Sequence, residues 1–204
     1  PPAMSFPTER RKNLSLRELV DKAYALIEPF FDPANAWNGQ TLEHLAYRVV
    51  RENLPEEGHA HINPGDPVPD YRTVPPTSGD HINPPLQQAD GAWADPADQV
   101  NVVHSLEHGR VAIQYDPTLS ESDQLALKGL YDSAYSASLL FPNPDMPFAV
   151  AATTWRNLIG CRSWQGQKTL DAIRAFGVAH WGQGREPMAG FPALSGPSFG
   201  SPAS

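Results

Sequence analysis

Three things are scarce in this sequence. There is one cysteine, Cys161, so no intrachain disulfide can form. Basic residues are few: 15 Lys and Arg stand against 23 Asp and Glu, for a net charge of −8. Nucleic acid is therefore not an expected partner, because phosphate binding needs clustered cations. Long apolar runs are missing as well. Stretches such as Phe148 to Ala152 fall far short of the roughly 20 residues that span a bilayer, so no transmembrane segment is expected in this chain. No signal-peptide pattern opens the sequence at Pro1.

Proline, by contrast, is abundant. The 22 prolines in 204 residues are about twice the usual share of roughly 5% and predict long irregular segments. Hydrophobic residues make up 40%, enough for one domain with a good core.

Residues 1–14 are polar with a short basic run and read as a flexible N-terminus. Ser15 to Glu18 has the form of a capping box, and Leu16, Leu19, Val20, Ala23 and Ile27 follow at helical spacing. A second amphipathic segment runs from about Thr41 to Asn53. Residues 15–53 are thus expected to form a helical hairpin extension. Residues 54–98 are dominated by Pro, Gly, Asp and Asn, and "HINP" occurs twice, at 61–64 and 81–84. A loop this long is uncommon unless it is functional or disordered, and His61 and His81 within it favour the functional reading. Beyond it the pattern predicts strands at Val100–Ser105, Val111–Tyr115, Ser138–Phe141 and Phe148–Trp155. Helices are predicted at Ser120–Ala137, opened by Ser120, and at Lys168–Trp181. The expected fold class is α+β: a mainly antiparallel sheet with helices on one face, filling residues 54–182. Residues 183–204, rich in Gly, Pro and Ser, read as an extended tail, free or wrapped on a partner.

The chemistry concentrates in "VVHSLEHGRV" (102–111). His104 and His108 are four apart, and on a helix such a pair shares a face and can grip one metal. The string also matches H-x-x-E-H, a zinc-peptidase motif in which the Glu is general base. That motif needs a real helix, and the β-branched run before it with Gly109 after it predicts one turn at most. Upstream, Pro75-Pro-Thr-Ser-Gly79 is a strong turn signal that fixes where His81 points, with His61 in the same long loop. His44, His59 and His180 read as surface or helix-face residues, and Trp155, Trp164 and Trp181 as core or rim.

"PPTSGDH" (75–81) followed by "VVHSLEHGRVAIQY" (102–115) resembles the bacterial domain-of-unknown-function family DUF3105. The likeness extends to Gly58–His61, Ala152–Trp155 and Cys161, and covers about residues 57–187. Its motif positions imply a transition-metal site, copper or zinc, built from His61, His81, His104 and His108. Glu107 serves there as a ligand or as the orienter of a histidine, and Cys161 or Met146 is a candidate soft ligand for copper. The resemblance also implies an extracytoplasmic setting, since members typically carry an N-terminal membrane helix. Here a soluble helical hairpin is read in its place, which hints at an accessory subunit docking on a larger assembly through the N-terminal helices and the C-terminal tail. The sequence leads to a metal-binding domain first, an accessory subunit second and a zinc metallopeptidase third.

Overall fold

The structure is a computed structural model, and it describes residues 47–134 and 138–188. The expected helices of 15–46 and the tail beyond residue 188 lie outside the described residues.

Eight strands and three helices are present among these residues: β1 (Arg48–Arg51), β2 (His61–Ile62), β3 (His81–Ile82), β4 (Gly91–Ala92), α1 (Gln99–Glu107), β5 (Val111–Tyr115), α2 (Glu121–Ala134), β6 (Ser138–Pro142), β7 (Val150–Thr154), β8 (Asn157–Cys161) and α3 (Gln167–His180). Six strands form one mixed sheet in the order β1-β8-β7-β5-β6-β4. The pairs β1/β8, β8/β7 and β7/β5 are antiparallel, while β5/β6 and β6/β4 are parallel. The parallel step from β5 to β6 needs a crossover, and α2 supplies it. Ser120 opens α2 as expected: its hydroxyl accepts from the Asp123 backbone at 3.2 Å and donates to the Asp123 carboxylate at 2.7 Å.

The α+β class holds, but the helices do not share one face. Alternate residues of a strand face opposite sides. Val111 and Ile113 of β5 enter a core with Leu127 and Leu130 of α2 and Ile173 and Phe176 of α3. Ala112, between them, joins a second core with Val102, Val103 and Leu106 of α1, closed by Leu139, Phe141 and Trp155. Thus α1 lies across the sheet from α2 and α3.

Three local expectations also change. Residues 100–105 are not a strand but the body of α1. Its side chains from Val102 to Glu107 are all buried, so it has no polar stripe to betray a helical period, and burial overrides the low helix propensity of valine. Residues 48–51, expected to end a helix, pair as edge strand β1 with β8, itself unforeseen. The Pro/Gly-rich stretch 54–98 is not strandless, since β2, β3 and β4 lie in it.

Candidate metal centre

The two "HINP" copies are structurally one device. β2 and β3 pair in parallel, His61 opposite His81 and Ile62 opposite Ile82. The His81 amide donates to the Ala60 carbonyl and the Asn83 amide to the Ile62 carbonyl, both at 2.9 Å. Cross-strand partners share a face, so the two imidazoles stand together, ring centroids 5.0 Å apart. Asn83 Nδ2 donates to Asn63 Oδ1 at 3.0 Å and ties the two copies at their far ends.

The PPTSG loop holds this ribbon. Ser78 Oγ accepts from the Glu57 amide at 3.1 Å, Asp80 Oδ1 from the Ala60 amide at 2.9 Å, and the Asp80 carbonyl from Tyr71 Oη at 2.8 Å. Gly79 has φ +133°, and a Cβ there would lie 2.6 Å from the Tyr71 ring. Only glycine fits both the angle and the approach.

Helix α1 brings the remaining groups. Asp98 caps it by accepting from the Val100 amide at 3.2 Å. It ends in a glycine-terminated hook: the Arg110 amide returns to the Ser105 carbonyl at 3.1 Å and the Gly109 amide to the Leu106 carbonyl at 2.9 Å, with Gly109 at φ +91°. That accounts for the glycine of "HSLEHG". His104 and Glu107 lie three apart on one face of this helix.

Four groups converge between ribbon and helix. One potential ligand atom from each of His61, His81, His104 and Glu107 lies within 4.8 Å of all the others, so the group could hold a metal ion. His81, His104 and Glu107 are 0–2% exposed, whereas the His61 side chain is 42% exposed and gives the cluster a solvent-facing edge. His81 Nδ1 is 2.8 Å from the Gly79 carbonyl. A carbonyl only accepts, so Nδ1 carries a proton and Nε2 is the nitrogen left to face the cluster. His81 Nε2 lies 3.0 Å from Glu107 Oε2, and His61 Nε2 is 4.0 Å from the same oxygen.

His108 repeats the pattern at the rim. Its Nδ1 donates to the Glu186 carbonyl at 2.9 Å, and its Nε2 is 3.1 Å from His104 Nε2. The His104 Nδ1 is buried without a hydrogen-bond partner. Burial, reinforced by the neighbouring His81 and His108 rings, pushes the His104 imidazole down to about 4. It is therefore neutral near pH 7 and free to donate a lone pair.

The structure thus brings His61, His81, His104 and Glu107 into one group, with His108 beside His104. It does not bring Cys161 there. Cys161 is buried in the opposite core with Tyr47 and Val150, and burial raises its thiol pKa, so a soft-ligand role from this residue is ruled out by position. His59 is exposed and bonded to Glu56, and His180 pairs with Glu52, both outside the cluster. Sequence reasoning missed Arg185 and Glu186. Residues 183–188 do not extend away: the Glu186 amide donates to the Glu107 carbonyl at 2.9 Å, and Arg185 Nη1 lies 3.5 Å from Glu107 Oε1. The Gly-x-Gly at 182–184 was the available signal. Trp155 also belongs to the site wall, edge-on to His81 at 6.1 Å, its Nε1 donating to Glu56 at 3.3 Å.

The model of the family described as protein of unknown function (DUF3105) matches residues 61–190. The chain belongs to this family. The DUF3105 match takes in every residue of the cluster and the 182–188 segment, but leaves out β1. No curated protein and no solved structure matches the chain. Among the described residues, no helix is long and apolar enough to cross a membrane.

Proposed function

We propose that this DUF3105 protein binds one transition-metal ion, copper or zinc, through His61, His81, His104 and Glu107, with His108 as a further donor. The observation that carries the reading is the buried His81–Glu107 contact. His81 Nε2 and a Glu107 carboxylate oxygen lie 3.0 Å apart, on two side chains that are both buried. Two acceptors are stable at that distance only with a cation between them, and a proton or a metal ion would serve. Three further features favour the metal. Ligands on a tetrahedral ion at 2.0–2.1 Å are about 3.3 Å apart, close to the 3.0 Å of His81–Glu107 and the 3.1 Å of His104–His108, while His61 stands farther off at 4.0 Å from Glu107. The far nitrogens of His81 and His108 are fixed by backbone carbonyls, the usual way a ligating imidazole is oriented. Imidazoles with one carboxylate also suit copper and zinc better than hard cations.

The test is elemental mass spectrometry of the purified protein beside a His104→Ala/His108→Ala double variant. About one equivalent of copper or zinc, lost in the variant, is the expected result. A wild type that stays metal-free after reconstitution, with no gain in stability, would overturn the reading.

The peptidase alternative gains one point, since His104 to Glu107 do lie on a helix, with His108 as its C-cap residue. Against it, Glu107 is 1% exposed and faces His81 and Arg185, so it is poorly placed to take a proton from water. As general base its replacement by Gln would abolish peptide hydrolysis and spare metal binding. As ligand its replacement weakens the metal itself. The accessory-subunit reading calls for a partner that co-purifies with the full chain.

A further inference from the structure

We propose that residues 182–188 form a strap that completes the metal centre, and that metal binding and strap docking strengthen one another. The inference rests on the metal-binding reading above.

The strap lies on the hook that ends α1. The Gly182 amide donates to the Gly109 carbonyl at 3.1 Å, and the Glu186 amide to the Glu107 carbonyl at 2.9 Å. The Glu186 carbonyl in turn accepts from His108 Nδ1 at 2.9 Å. The approach is too close for a side chain: a Cβ on Gly184 would lie 2.1 Å from the Glu107 carbonyl oxygen and 2.4 Å from the Gly109 nitrogen. Arg185, carried by the strap, reaches Glu107 at 3.5 Å, Glu186 at 2.9 Å and Glu56 at 3.7 Å. The strap therefore touches the centre through both a donor histidine and the carboxylate.

The coupling follows from His108. With its Nε2 on an ion, the ring becomes more acidic at Nδ1 and its bond to the Glu186 carbonyl shortens and strengthens. An ion also repels the Arg185 guanidinium. That effect is the weaker one, because the guanidinium is partly exposed and screened and keeps Glu56 and Glu186 as partners. Glu186 is thus a positioning residue acting through its backbone carbonyl, and linkage requires that the docked strap raise metal affinity in return.

Trypsin reads the strap directly, because Arg185 is its cleavage site. The full chain is digested with and without saturating zinc ion, cleavage after Arg185 is followed by mass spectrometry, and bound zinc is counted on the same samples. Zinc is expected to slow that cleavage about tenfold or more relative to cleavage elsewhere. Gly184→Ala, which blocks docking, is expected to leave cleavage fast with or without zinc and to weaken zinc binding about tenfold. Zinc bound at one equivalent with unchanged Arg185 cleavage overturns the strap and spares the metal reading, as does wild-type zinc affinity in Gly184→Ala. No zinc bound at all overturns both.

Discussion

Glu107 sits almost wholly buried, with one carboxylate oxygen toward His81 and the other toward Arg185. Gln in its place could hydrogen-bond His81 Nε2 through either its amide N–H or its carbonyl oxygen, and would remove a buried carboxylate. Glu107→Gln is therefore expected to leave the metal-free protein as stable as the wild type or slightly more so, by up to about 1 kcal/mol in urea unfolding, while zinc affinity falls by at least tenfold in titration. Unchanged zinc affinity would remove Glu107 from the ligand set. Cys161 offers a separate check on the cores. Its thiol is fully buried and its pKa raised, so it should resist alkylation at pH 8 in the folded protein and react with one equivalent of reagent in denaturant. Rapid native labelling would contradict its placement. The residues that cluster, His61, His81, His104 and Glu107, were legible because they stand in motif positions of the sequence. Arg185 was not, because its role depends on a chain reversal that only Gly182 and Gly184 hint at.

At the scale of elements, the hook closing α1 joins three functions in a few residues: it ends the helix, presents His108 and receives the strap. Gly109 at φ +91° packs against Gly182, where a Cβ would come within 3.0 Å of backbone atoms. Gly109→Ala is expected to cost about 1–2 kcal/mol from the backbone conformation alone, with a further loss from displacing the strap, read as a shifted urea midpoint. A midpoint equal to that of wild type would mean the hook tolerates a side chain. Strands and helices with a polar face, such as β5 and α2, were legible because half-burial writes a period into the sequence. Helix α1 was hidden for the opposite reason: buried on nearly every side, it reads as a β-branched run. The "HINP" copies were visible as text, but a match of four residues says nothing of pairing until the intervening loop folds back.

For the whole molecule, the sheet is scaffold and the centre hangs on one side of it, between α1 and the β2/β3 ribbon. An ion that binds only the folded state stabilises it in proportion to its saturation. At about 100 times Kd this is roughly 2.7 kcal/mol, or a rise of about 5–10 °C in Tm for a chain of this size. Calorimetry with zinc and then excess chelator should show the rise and its reversal, and an unchanged Tm would count against a folded-state site. The mixed class of the fold was legible from the order of strands and helices. The split of helices across two faces was not, because sidedness is set by packing between segments remote in sequence. That remoteness has a further consequence for how the protein is made. The candidate donors are His61 and His81 of the ribbon and His104 and Glu107 of α1, and the carbonyl bonded to the neighbouring His108 belongs to Glu186. A ribosome lays these down from first to last, so no partial chain holds the assembled centre. On the metal-binding reading proposed above, loading is accordingly a late event, open only to a polypeptide synthesised at least as far as Glu186.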